Sequence, residues 1–147
     1  MKLNIRDQAP DFQSTDQNGK IHELSAYAGK WLLIYFYPKD DTPGCTREAC
    51  SLRDHFNELA KRLTILGVSA DTTTSHQKFI TKYHLPFTLL ADPEKKLITA
   101  YGANGLIFDK RTSFLINPDG KITKIYERVN PDTHATEVLT DIANLTQ

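Results

Sequence analysis

The apolar positions of this 147-residue chain change period several times, and each change marks an element. Trp31-Leu32-Leu33-Ile34-Tyr35-Phe36-Tyr37 is apolar throughout, which predicts a central strand covered on both faces. From Cys45 onward, Ala49, Leu52, Phe56, Leu59, Ala60 and Leu63 recur at helical spacing, with Arg47, Asp54, Asn57, Glu58 and Lys61 on the other side. That pattern predicts one helix running from Cys45 to the next apolar run, Thr64 to Ser69, a second buried strand. Thr73 to Tyr83 reads as a helix with Phe79, Ile80 and Tyr83 inward, stopped before Pro86.

Turn chemistry supplies the remaining boundaries. Asn18-Gly19 between Phe12–Thr15 and Lys20–Glu23 predicts an opening β-hairpin. Phe87 to Leu90 is a short strand and Pro93 to Tyr101 a short helix, followed by a glycine-punctuated loop from Gly102 to Gly105. Thr112–Ile116 and Lys121–Tyr126 are strands joined by Asn117-Pro118-Asp119-Gly120, and Thr133 to Leu145 closes as a helix. Strands alternate with helices through the middle, so the expectation is an α/β fold with a mixed central sheet and helices on both faces. No repeat or linker divides the chain, and its length suits one domain over residues 1–147.

Eighteen basic and eighteen acidic side chains cancel, so no basic field draws in nucleic acid or an anionic membrane. The longest apolar run is too short to span a bilayer, and the start, Met1-Lys2-Leu3-Asn4-Ile5-Arg6-Asp7, turns charged before an apolar signal region forms. A cytoplasmic location is the expectation. In that reducing compartment the only two cysteines, Cys45 and Cys50, are more often catalytic or metal-binding than structural. Cys45 follows a strand and a turn-rich loop and opens a helical segment, where free N–H groups and the helix dipole favour thiolate over thiol.

Pro38-x-x-x-Thr42-x-x-Cys45 resembles the active-site loop of the peroxiredoxins, and Glu48-Ala49-Cys50 after it is similar to the peroxiredoxin Q, or bacterioferritin comigratory protein, branch. The resemblance covers nearly the whole chain. It includes the entry motif Ala9-Pro10-Asp11-Phe12, although the glycine expected just before it is replaced by Arg6-Asp7. It implies a thioredoxin-like fold and a thiol peroxidase. Cys45 would attack the peroxide, Thr42 would donate its hydroxyl to the sulfur or the peroxide, and Pro38 would shield the pocket from water. Arg111 sits where the family places its active-site arginine, able to stabilise both thiolate and developing oxyanion, and Glu48 would orient it.

Attack leaves Cys45 as a sulfenic acid, for which Cys50 is the only partner thiol in the chain. On an intact helix five residues separate the two Cα atoms by roughly 8 to 9 Å. A disulfide tolerates at most about 7 Å, so the helix must unwind locally in each turnover. The substrate is then a hydroperoxide, the reductant thioredoxin or a similar dithiol, and the state a monomer, with no cofactor and no metal.

Competing readings share some of these residues. A thioredoxin-like disulfide reductase would carry C-x-x-C rather than C-x4-C, and a redox-sensing module would be oxidised once without sustained turnover. Zinc wants four ligands, and Cys45 and Cys50 would have to recruit distant residues. His22, His55, His76, His84 and His134 show no metal-binding spacing and receive no role, with His55 expected at the surface. Trp31, Phe36 and the tyrosines read as core and pocket wall.

Overall fold

The computed structural model describes residues 2–147. Seven strands form one mixed sheet: β1 Gln13–Asp16, β2 Ile21–Glu23, β3 Leu32–Phe36, β4 Thr64–Ser69, β5 Thr88–Ala91, β6 Thr112–Ile116 and β7 Ile122–Tyr126, in the spatial order β2-β1-β5-β4-β3-β6-β7. β3 lies between β4, its parallel neighbour, and β6, its antiparallel one, and every residue from Leu32 to Phe36 is buried.

Alternation along β3 divides the interior into two layers. Leu33, Tyr35 and Tyr37 face the layer closed by α1 Pro43–Asp54, α2 Phe56–Leu59, α3 Thr73–Tyr83 and α5 His134–Leu145. Leu32, Ile34 and Phe36 face the other layer, closed by α4 Lys96–Ala100, a 3-10 turn at Leu24–Tyr27 and the entry segment around Ala9 and Phe12. The helices therefore lie on both faces, as the apolar run of β3 requires. Both hairpin turns use glycine in the left-handed region, Gly19 and Gly120 each at φ +81°.

Differences from the sequence expectation have local causes. The cysteine helix begins two residues earlier than Cys45, at Pro43, because proline's missing N–H costs nothing at the first helical position. It also breaks at His55, whose backbone N–H and Nδ1 both converge on the Ser51 carbonyl (3.2 and 2.8 Å), so the ladder stops and α2 restarts after it. His55 is half-buried rather than at the surface. The short helix contracts to Lys96–Ala100, since Asp92 Oδ2 accepts from the Ile98 N–H at 2.7 Å and Lys95 turns to φ +58°. β5 lies one residue later than expected, and Trp31 stays outside β3. Arg6 takes φ +82°, the conformation a glycine would hold without strain, and is kept there by the bond from its N–H to the Ile122 carbonyl at 2.8 Å.

Candidate active site

β3 ends against the layer of α1, and the loop after it returns the chain to start that helix. Thr42 is the N-cap in an extended conformation, and the Thr46 N–H closes the first turn on its carbonyl at 2.8 Å. The N–H groups of Gly44 and Cys45 thus precede the ladder, and the Cys45 sulfur stands in the first turn at the positive end of the helix. Cys45 is 2 % exposed. Cys50, on the same helix, is half-buried, and both thiols are free.

Arg111 approaches from the residue before β6, its carbonyl held by the Val129 N–H at 3.0 Å. Its Nη2 donates to Cys45 Sγ at 3.4 Å and its Nη1 to Glu48 Oε1 at 2.8 Å, so one guanidinium spans the thiol and the carboxylate one turn on. Gly44 makes the approach possible: a Cβ there would lie 2.9 Å from Arg111 Nη2. Burial works against the charge of Arg111, but the charges of Cys45 and Glu48 outweigh it and hold the guanidinium above its ordinary value. Glu48 is 1 % exposed, and burial raises its carboxyl to about 7, with Arg111 only partly offsetting the shift.

The sequence-predicted residues divide. Cys45, Glu48 and Arg111 are in direct contact. Thr42 is adjacent in the loop, but its hydroxyl donates to the Lys39 carbonyl at 2.8 Å and not to the sulfur. With that proton engaged by Lys39, the hydroxyl oxygen keeps its lone pairs to accept a further hydrogen bond. Pro38 is half-buried at the start of the same loop.

The sequence reading missed the fastening of that loop. Asp40 is buried and accepts from Tyr37 Oη at 2.6 Å and Ser75 Oγ at 2.8 Å, with His76 Nδ1 at 2.7 Å, while its own N–H reaches Asp71 Oδ2 at 2.8 Å. His76 Nε2 donates to the Leu90 carbonyl at 2.9 Å. His76, given no role above, is a fully buried bolt between loop, α3 and β5. Asp40, Asp71 and His76 lie close enough to suit a cation, but their polar atoms are already engaged with one another and with Ser69, Ser75 and Tyr37. His134 is likewise a buried core residue, 2.8 Å from Ser113 Oγ. A cavity of about 680 Å³ lies beyond Arg111 among Tyr101, Phe114, Ile125 and Arg128, and neither Cys45 nor Thr42 lines it.

The AhpC/TSA family model matches residues 5–125. A putative peroxiredoxin bcp of Coxiella burnetii is 39 % identical over 95 % of this chain and 98 % of its own length. Peroxiredoxin Bcp of Bacillus subtilis is 38 % identical over 100 % and 99 %. The chain belongs to the AhpC/TSA family, in its Bcp or peroxiredoxin Q branch.

Solved structures of peroxiredoxins agree along the whole chain. A cysteine-to-serine mutant of Xylella fastidiosa PrxQ superposes with a TM-score of 0.93 at 28 % identity, covering 100 % of this chain and 99 % of that one. The bacterioferritin comigratory protein of Xanthomonas campestris, studied for alkyl peroxide reduction, gives 0.90 at 31 % identity over 99 % and 98 %. The fold is thus that of the thioredoxin-like peroxiredoxins, and the enzyme class is a peroxiredoxin peroxidase, an oxidoreductase. Among the described residues no helix is long and apolar enough to cross a membrane.

Proposed function

We propose that Cys45 is the peroxidatic thiol of this peroxiredoxin and Cys50 its resolving thiol. The observation that carries the reading is the single guanidinium of Arg111, bonded at once to Cys45 Sγ and Glu48 Oε1 at the start of α1. The Cys45 thiolate attacks the near oxygen of the hydroperoxide; an S–O bond forms, the O–O bond breaks, and the departing oxygen leaves with the electron pair and takes up a proton. Arg111 and the free N–H groups of Gly44 and Cys45 stabilise the charge on both sulfur and oxygen. Thr42 Oγ1, already donating to Lys39, accepts from the peroxide O–H and aims the oxygen at the sulfur. Pro38 walls off water, and Glu48 holds Arg111 in place.

The Cys50 thiol then displaces water from the Cys45 sulfenic acid to form an intramolecular disulfide. Because both cysteines lie within α1, that step unwinds the helix, whose intact spacing of roughly 8 to 9 Å exceeds the disulfide limit of about 7 Å. Thioredoxin or a similar dithiol returns the protein to its folded, reduced form. Resolution within one chain needs no second subunit, so the enzyme acts as a monomer, one catalytic unit over residues 1–147. Two free cysteines suit the cytoplasm.

Peroxide-dependent oxidation of reduced thioredoxin tests this reading, with hydrogen peroxide and a bulky organic hydroperoxide compared. Cys45→Ser is expected to abolish turnover with either. Cys50→Ser is expected to consume one equivalent of peroxide, stall with Cys45 as the sulfenic acid, and then take up further peroxide only as Cys45 is over-oxidised. Retained turnover in Cys45→Ser overturns the assignment of the attacking thiol; full turnover in Cys50→Ser assigns resolution to an external thiol.

A further inference from the structure

The cavity beyond Arg111 has no part in the peroxidase reading, yet two kinds of surface meet in it. Its volume of about 680 Å³ is within the roughly 300 to 1,000 Å³ of small-molecule sites. Tyr101, Phe114, Ile125 and Leu3 form its apolar part, all of them in or against the layer opposite the one that holds Cys45. Polar side-chain atoms there are already taken: Tyr101 Oη donates to the Pro10 carbonyl at 2.8 Å and Thr112 Oγ1 to the Tyr126 carbonyl at 2.9 Å. What is left for a ligand is mainly hydrocarbon and aromatic ring. The loop between two lining residues, Gly102 and Lys110, adds to this surface. The Lys110 N–H closes the loop on the Ala103 carbonyl at 2.6 Å and Lys95 Nζ ties Asp109 at 3.1 Å, while Leu106, Ile107 and Phe108 between those ties are 106, 85 and 75 % exposed. Adjacent apolar side chains left in water at the border of an apolar cavity mark a binding surface rather than scattered exposure.

The charged part is one-sided. Lys2, Lys110, Arg111 and Arg128 line the cavity with a single acid, Glu127, which Lys2 already pairs at 3.3 Å. The whole chain balances eighteen basic against eighteen acidic side chains, so this excess is local. Lys110 and Arg128 are exposed and have no ion-pair partner among the described residues. The bond from the Val129 N–H to the Arg111 carbonyl, 3.0 Å, fixes the segment that carries Arg128 beside the one that carries Lys110 and Arg111. Arg128 is itself held at φ +52°, where glycine or asparagine sits with less strain, so turn geometry alone does not account for an arginine there.

We propose that this cavity binds a free single-chain anionic amphiphile of the long-chain carboxylate class, its hydrocarbon on Tyr101, Phe114 and Ile125 and its head between Lys110 and Arg128, and that occupancy slows the peroxidase through Arg111. The binding half stands by itself; the regulatory half rests on the peroxidase reading above. A neutral apolar ligand would leave Lys110 and Arg128 without a partner, and a small inorganic anion would leave the apolar wall bare. A carboxylate at this rim places a negative charge beside Arg111, whose Nη1 and Nη2 already serve Glu48 and Cys45. The guanidinium is then shared with a third anion, so its hold on the Cys45 sulfur weakens and the thiolate is less favoured.

Calorimetric titration of the reduced protein with dodecanoate, kept below its micelle-forming concentration, tests the binding half. Acetate, which lacks the chain, and dodecyltrimethylammonium, which reverses the charge, are the controls. One saturable site is expected for dodecanoate and none for either control. Replacing both exposed cations, Lys110→Ala with Arg128→Ala, is expected to weaken binding by about tenfold or more, and Ile125→Trp, which fills the apolar part, by a similar factor. Stopped-flow oxidation of Cys45 by hydrogen peroxide reads the regulatory half: saturating dodecanoate is expected to slow it about three- to tenfold, the effect of one added charge near the site, and the double variant is expected to lose that sensitivity. Absence of a saturable dodecanoate site, equal binding of the controls, or undiminished binding in the double variant overturns the proposal. So does binding only to anionic phospholipid vesicles, which would make this surface a membrane contact. Binding with an unchanged rate overturns the regulatory half. If the parent protein consumes no peroxide, the peroxidase reading fails, and the titration still decides whether the cavity takes the amphiphile.

Discussion

The loop that leads into Cys45 and the helix that leads out of it are fastened to the molecule in different ways. Before the cysteine, Asp40 is held by Tyr37, Asp71, Ser75 and His76 in a buried network, and Asp41 by Lys82 Nζ and Tyr83 Oη, each at 2.8 Å. After it, the first turns of α1 reach the rest of the protein through apolar contacts of Cys45, Ala49 and Leu52, the Arg111–Glu48 pair, and an Arg47–Asp132 pair whose side chains are more than half exposed. The next polar tie, Arg53 Nη1 to the Tyr83 carbonyl at 2.7 Å, comes only near the helix end. On the proposed mechanism the difference marks where the chain would yield: the segment between Asp41 and Arg53 would unwind to let Cys45 and Cys50 join while both of its ends stay on α3.

The sharpest way to break this comparison is hydrogen exchange on the reduced and oxidised proteins. Amides of 44–52 are expected to exchange orders of magnitude faster once the disulfide forms, while those of 39–42 stay within a few-fold. Equal protection along the helix in both states, with the Cys45–Cys50 bond confirmed by mass spectrometry, would remove the unwinding step. Arg111→Met comes next. Losing the bridge between thiol and carboxylate is expected to slow peroxide attack by a factor of about 100 to 1,000, and stopped-flow oxidation of Cys45 checks it.

The two fastenings also differ in expected energy. Asp40→Ala leaves Ser75 and Tyr37 without their shared acceptor and His76 Nδ1 without its partner, and is expected to cost about 3 kcal/mol or more, whereas Arg47→Ala removes an exposed pair worth less than about 1 kcal/mol. Denaturant unfolding of the two variants measures the gap; similar costs would mean the loop is no better anchored than the helix. A further expected effect is a pH slope. Glu48 titrates higher in the folded protein, about 7, than its ordinary 4.5, so its contribution to stability is full below 4.5 and is lost as pH rises through 7. The loss is at most about 3 kcal/mol, and unfolding of Glu48→Gln between pH 4 and 8 is expected to lack that slope.

Most of this was legible in the sequence wherever one element's own pattern decided the matter. β4, α3 and β6 lie where periodicity places them, and the spacing of Cys45 and Glu48 puts both on the face that meets Arg111. What was not legible depends on pairs distant in the chain. Asp40 and His76 are 36 residues apart, and nothing around either one announces the bond. The break at His55 escaped because a ring nitrogen competes for a carbonyl that periodicity counts as part of the ladder. The bond from the Thr42 hydroxyl to the Lys39 carbonyl escaped as well, because the orientation of that carbonyl is set by the turn and not by the motif. Tyr35 read as core because it is core; only its unpartnered oxygen sets it apart.

Glycine serves two separate purposes in this chain, and they constrain it unequally. Gly19 is there for its backbone, at φ +81° with nothing within 4 Å of where a Cβ would sit, so asparagine or aspartate can take its place at modest cost. Gly44 has no such conformational demand, and what it yields is the room that Arg111 occupies. In a library varied fully at both positions and selected for survival under peroxide, position 19 would drift among turn-forming residues while position 44 would be narrowed toward the smallest ones, silent about backbone shape and informative about where the arginine lies.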